Sequence, residues 1–235
     1  MRKIILAMAA VVIASGTANI HANEKTPISM AVDGKTAVIP MGGLVVGERK
    51  GRSAIFSPNG RYEIKGFIFD RWTGKEIRTT KEAEASINYL DFEKLQLDMT
   101  ELGAIRIGSG PERVQVFMDP LCVPCRNLLL EVPPLTDSYT FEFLLVPSGN
   151  NQGSIQMIQD LHCASDRKAA GTALMTGSSA KALEQDRQCD KEPLVKRFMA
   201  AQLLPVISMP FIVAPSGLVS TTKPESLEQW LNHAR

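Results

Sequence analysis

Val114-Gln-Val-Phe-Met-Asp-Pro-Leu-Cys-Val-Pro-Cys-Arg126 decides how this chain is read. Val114 to Met118 is an apolar run of strand length, and Cys122 to Glu131 reads as a helix that Pro133-Pro134 ends. The two cysteines therefore sit where a buried strand passes into a helix. Downstream, Thr140-Phe-Glu-Phe-Leu-Leu-Val146 is the next strand, and Ile155 to about Gln188 is mostly helix with a break at Gly177-Ser-Ser. Phe211-Ile-Val-Ala214 and Leu218-Val-Ser220 flank Pro215-Ser-Gly217 as a hairpin, and Pro224 to Ala234 closes with a helix carrying Leu227, Trp230 and Leu231. Helices interleaved with short strands predict an α/β (α+β) layered domain over residues 108–235.

The Cys122-Val-Pro-Cys125 spacing carries the chemistry. Unpaired N–H groups and the positive dipole end of a helix favour a thiolate at a cysteine on its N-terminus, and the thiolate is the species that attacks a disulfide. Cys125, one turn on, is placed to resolve a mixed disulfide formed at Cys122. Zinc needs a second close pair of ligands, whereas Cys163 and Cys189 lie far apart and the histidines after residue 22 are His162 and His233. Haem attachment needs His after the second cysteine, where Arg126 stands. An inert staple is the remaining alternative, and two residues make too short a loop for one. No metal and no cofactor is expected. Cys163 and Cys189 flank a helical stretch and read as a structural disulfide, with a second redox pair as the alternative.

The beginning of the chain reads as an export signal. Met1-Arg2-Lys3 is positive, Ile4 to Ile13 is apolar and uncharged, and Ala18 and Ala22 are candidate cleavage points. An uncleaved N-terminal anchor is the alternative. Residues 1–22 as a signal peptide place the mature chain outside the cytoplasm, with no membrane insertion. Of the 26 Lys and Arg, loss of Arg2 and Lys3 leaves 24 against 25 Asp and Glu. That balance gives no footprint for nucleic acid or an anionic membrane.

Between the signal and the cysteine domain lie two further stretches. Residues 23–79 are strand-like and turn-rich, with Ser53 to Ser57 and Arg61 to Trp72 on either side of Pro58-Asn-Gly60. Tyr62, Ile64, Phe67 and Phe69 share a face only if Gly66 bends the strand. This part holds no Cys and no His, so it is a scaffold, binding surface or dimerisation module. Over residues 80–107, Ala83, Ile87, Leu90, Leu95, Met99 and Leu102 recur at mostly helical spacing and predict a helix of about five turns, either connecting two domains or packed inside one continuous domain. Thr80 is followed three residues later by Ala83, so no capping box is expected there.

Taken together, these segments resemble the bacterial periplasmic disulfide isomerase family of DsbC and DsbG. Phe117-Met-Asp-Pro-Leu-Cys-Val-Pro-Cys125 is similar to that family's strand, aspartate and CxxC. Cys163 to Lys168, Met175-Thr-Gly177 and Cys189 resemble its helical insertion and second disulfide, and Ser208-Met-Pro-Phe-Ile-Val-Ala-Pro-Ser-Gly-Leu-Val219 its cis-proline loop and final hairpin. Ile55 to Gly66 and Phe69-Asp70 resemble its dimerisation module. The resemblance implies a thioredoxin-like domain with a helical insertion, a small N-terminal β-rich dimerisation domain and a homodimer. It implies that Cys122 attacks wrong disulfides in misfolded exported proteins while Cys125 resolves. Pro210, on residue pattern alone a strand boundary, would be cis beside the cysteines, with the Met209 backbone pairing with substrate. An inner-membrane reductase would supply electrons in the periplasm. Met209 stands where that family usually has threonine, and Val123-Pro124 replaces its Gly-Tyr or Pro-Tyr. The alternatives are a monomeric dithiol oxidase or dedicated reductase, and a non-catalytic holdase or scaffold.

Overall fold

The computed structural model describes residues 32–39, 43–50, 52–71, 73–204, 206 and 208–234. The expected signal peptide and its cleavage points lie outside the described residues. The N-terminal unit contains β1 (Ala37–Ile39), β2 (Leu44–Arg49), β3 (Arg52–Phe56), β4 (Glu63–Ile64), β5 (Ile68–Asp70) and β6 (Lys75–Ile77). β1 to β4 pair in sequence order as antiparallel neighbours, while β5 and β6 form a separate ribbon. Pro58-Asn-Gly60 turns the chain between β3 and β4, with Gly60 at a φ of 68°. Gly66, at 156°, lies between β4 and β5, where the broken alternation called for a bend. The two cores here are small: Val32, Val45, Ala54 and Phe56 form one, and Ala37, Val46, Ile77 and Ala83 the other. Tyr62, Ile64, Phe67 and Phe69 all stay exposed.

The connecting helix is much shorter than its apolar spacing predicts. α1 covers Thr80–Ile87 and stops. Its N-cap is Thr79, one residue before the position first considered, and Glu82 at the third helical position completes a capping box with it. Beyond Ile87 the chain turns repeatedly. Asp91 accepts from the N–H groups of Glu93 and Lys94, Asp98 accepts from Thr100, and Gln96 sits at a φ of 53°. Such side-chain bonds offer the backbone an alternative to the helix. Leu90, Met99 and Leu102 are buried as the pattern demanded, but against the C-terminal sheet.

That sheet runs in the order β11-β10-β8-β9-β7. Its strands are β7 (Ile105–Ile107), β8 (Glu112–Met118), β9 (Tyr139–Leu145), β10 (Phe211–Val213) and β11 (Val219–Ser220). β8 and β9 are parallel, and α2 (Val123–Leu129) lies in the connection between them; the other pairings are antiparallel. Alternation sends neighbouring residues to opposite faces. Val116, Met118, Phe143 and Ile212 enter one core with α2, α3 (Gln152–His162), α4 (Arg167–Thr176) and α6 (Leu227–His233). Phe117, Leu144, Phe211 and Val213 enter the other, covered by the turn segment and by Ala200 and Ala201 of α5 (Glu192–Leu203). The sequence reading assigned no helix to α5. α4 ends at Gly177, whose φ of 67° caps it; a single 3-10 turn follows at Ala180–Ala182, and residues 183–190 are not helical.

Candidate redox site

Three strand ends bring the site together. β8 and β9 run parallel, so both finish on the same edge of the sheet, and antiparallel β10 starts there, with Phe211 opposite Phe117. The chain leaving β8 therefore meets the chain entering β10. Cys122 caps α2 in an extended conformation, its N–H donating to the Asp119 carbonyl at 3.1 Å. Pro124 fits the first turn of α2, where no backbone donor is needed. Across the gap, the Met209–Pro210 peptide is cis, and the Cys122 thiol points at the Met209 carbonyl, 3.7 Å away.

The two thiols are free but differ in environment. Cys122 is half-buried, whereas Cys125 is fully buried beside Leu128 and Leu129. Burial pushes the Cys125 thiol far above the ordinary range, and a hydrogen bond with Cys122 pushes in the same direction. A buried protonated thiol beside a half-exposed one is an unequal pair, with the outer sulfur open to a partner and the inner one held back.

Asp119 joins the cysteine loop to its surroundings. Its carboxylate is buried and accepts from Leu121 N–H at 2.8 Å, Ser154 Oγ at 2.8 Å, Ser148 N–H at 2.7 Å and Ser148 Oγ at 2.6 Å. Burial alone would raise its pKa. The bonds from Ser148, Leu121 and Ser154 outweigh burial and hold the carboxyl below the usual aspartate range. Next to Ser148 and Ser154, Pro147 and Ile155 line an apolar groove of about 240 Å³ with Ile158, Val195 and Phe198.

No family model matches the chain, and no curated protein matches it. Among solved structures, it is similar to a disulfide interchange protein from Neisseria gonorrhoeae, at 24% identity and a TM-score of 0.50, over 59% of this chain and 96% of that one. It is also similar to ScsC of Proteus mirabilis in a compact conformation, at 12% identity and a TM-score of 0.50, over 65% of this chain and 85% of that one. The fold is thioredoxin-like. In this thioredoxin-like fold Cys122, Cys125, Met209 and Pro210, the four expected site residues, are brought together.

Cys163 and Cys189 are joined to each other, with 5.3 Å between their Cα atoms. Cys163 caps α3, and the strand-like pairing of Ala164 with Gln185 runs beside the bond, so the disulfide braces the helical insertion. Closing a loop of 26 residues contributes about 3 to 4 kcal/mol in the chain-entropy picture. Met118 is fully buried in the core, as its place on the apolar strand Val114 to Met118 suggests. Sequence reasoning quoted Asp119 only as part of a motif and passed over Ser148 and Ser154. Those serines follow the aspartate by 29 and 35 residues, at no fixed spacing that a motif would register.

Proposed function

We propose that this protein is a periplasmic thiol–disulfide oxidoreductase, most specifically a disulfide isomerase of the DsbC and DsbG type acting on exported proteins. The observation that carries the reading is the pairing of a half-exposed Cys122, aimed at the Met209 carbonyl, with a buried Cys125 one helical turn on. The Cys122 thiolate attacks one sulfur of a client disulfide. A Cys122–client bond forms, the client bond breaks, and the released client sulfur leaves as a thiolate that takes a proton from water. A client thiolate can then attack the mixed disulfide, which regenerates Cys122 with no net transfer of electrons. Otherwise Cys125 gives its proton to water and attacks the Cys122 sulfur. That releases the client reduced and leaves Cys122–Cys125 oxidised by two electrons, to be restored by an inner-membrane reductase.

Leu121, Val123 and the groove beside Ser148 offer apolar surface near Cys122 for an unfolded client. The exposed Tyr62, Ile64, Phe67 and Phe69 are the surface on which we place a homodimer contact. The test is reactivation of a scrambled multi-disulfide protein by catalytic amounts of this chain in a glutathione buffer. Recovery that disappears in Cys122→Ala supports the isomerase. Met209 and Val123-Pro124 both adjoin the sulfurs and differ from the isomerase pattern, which favours a dithiol oxidase or dedicated reductase as the second reading. Oxidation or reduction of a dithiol peptide without any reactivation, by a chain that sediments as a monomer, would select it. Reactivation undiminished in Cys122→Ala would leave a scaffold or holdase.

A further inference from the structure

We propose that Asp119 is the positioning residue of the exchange site, its buried carboxylate holding the cysteine loop so that Cys125 lines up on the Cys122 sulfur. This rests on the thiol-exchange reading above. The main chain of Asp119 touches both cysteines: its carbonyl accepts from Cys122 N–H, and its N–H donates towards the Cys125 sulfur. Its side chain fixes that main chain from the other side. Oδ1 ties it to Leu121 within the loop and to Ser154 in the first turn of α3, and Oδ2 ties it to Ser148 beyond β9. A single carboxylate thus joins the cysteine loop, the end of the neighbouring strand and the start of a helix. Displacing it displaces both sulfurs.

The arrangement excludes proton transfer as the role of Asp119. A carboxylate offers about four acceptor positions. Here all four are used, two on each oxygen, so none faces the Cys125 proton. Each oxygen also receives one backbone N–H, from Leu121 on Oδ1 and from Ser148 on Oδ2. An amide in place of the carboxylate must therefore turn its NH₂ towards a backbone N–H whichever way it is flipped. A serine hydroxyl can rotate to accept, but a backbone N–H cannot. Asp119→Asn keeps the volume and breaks the clamp.

The experiment separates two steps on the full chain. Oxidised glutathione is mixed with the reduced protein, formation of the Cys122–glutathione bond is followed first, and release of glutathione by Cys125 second, each from pH 6 to pH 11, because burial holds the Cys125 thiol above the ordinary range. In Asp119→Asn, formation is expected to stay within about twofold. Release is expected to slow about tenfold or more, because misplacing reacting atoms by about an ångström can cost on the order of a hundredfold. The midpoint of the release-versus-pH curve also moves, since the carboxylate charge near Cys125 is gone. An aspartate that braced the fold without its charge being felt at Cys125 would leave that midpoint in place, and one that only supplied charge would move the midpoint without slowing release at its plateau. Ser154→Ala, which removes one bond and keeps the charge, is expected to slow release by a smaller factor without moving the midpoint. Should Asp119→Asn not fold, Ser154→Ala and Ser148→Ala decide. Native release rates in both, or an unmoved release rate and midpoint in Asp119→Asn, overturn the proposal. Failure of the native chain to form any Cys122–glutathione bond is a different result, and it removes the thiol-exchange reading itself.

Discussion

The two cysteine pairs of this molecule are made of the same side chains and differ in almost everything around them. Cys122 and Cys125 are two residues apart at a strand-to-helix junction, with one thiol half-exposed, the other buried, and a carbonyl from a distant loop facing the first. Cys163 and Cys189 are 26 apart and joined, at the end of one helix and in the irregular segment that folds back on it. A long closed loop restrains the unfolded chain, and a two-residue loop restrains almost nothing. Stability is therefore a sufficient role for the second pair and an insufficient one for the first. The difference shows that what surrounds a sulfur, more than the count of cysteines, separates a brace from a reactive site.

The comparison breaks most visibly if the roles are exchanged. Cys122→Ala is expected to abolish reduction of a disulfide-bonded peptide, while Cys163→Ser with Cys189→Ser retains most of that rate in the folded protein. Loss of activity in the second variant below its melting temperature would mean that the distant pair takes part in exchange. The next effect is on stability. Removing the Cys163–Cys189 bond is expected to cost about 3 kcal/mol, or about 6 to 12 °C in melting temperature for a chain of this size. Cys122→Ala should melt within about 2 °C of the native protein, since a single exchanged side chain that closes no loop lies in the ordinary range of small effects.

The smallest expected effect is the pH dependence of stability near each pair. His162, next to the brace, has its pKa lowered by burial, with Arg197 and Arg167 adding to the shift against an opposing bond from its ring to the Asp190 carbonyl. A lowered pKa means that the unfolded chain binds the proton more readily. The stabilisation is thus complete above the ordinary value of 6.5 and is lost as pH falls through the lower folded value. Asp119, beside the reactive pair, behaves in the same sense further down, with its share complete above 3.8 and lost below. Denaturant midpoints from pH 8 to pH 3 should show two descents. His162→Gln should remove the upper one alone, and a profile unchanged by that substitution would detach His162 from the brace.

The missing part of the connecting helix shows where pattern reading fails. Apolar residues at three- and four-residue spacing suit a helix, but they suit successive turns laid on a flat apolar sheet equally well. Asp91 and Asp98, which capture backbone N–H groups, decided between the two. Gly217 then lets that segment approach: a Cβ there would lie 2.6 Å from the Leu90 carbonyl oxygen and from the Tyr89 ring. α5 was missed because its apolar residues point two ways. Ala200 and Ala201 face the core, while Val195, Phe198, Met199 and Leu203 stay exposed, so no single stripe marks it.

What the sequence determined by itself was local. The apolar run of β8, the cysteines at the head of α2 and the hairpin around Pro215-Ser-Gly217 follow from side-chain period, chain-breaking residues and turn chemistry over fewer than about 15 residues. The tertiary structure decided everything that joins segments far apart in the chain. It set Met209 and Pro210 against Cys122 across 87 residues, and it put the hydroxyls of Ser148 and Ser154 on the Asp119 carboxylate. The physical reason is that a hydrogen bond or a buried thiol is a matter of ångströms. Those ångströms are set by the order and direction of strands in a sheet, and periodicity along one strand carries no record of its neighbours.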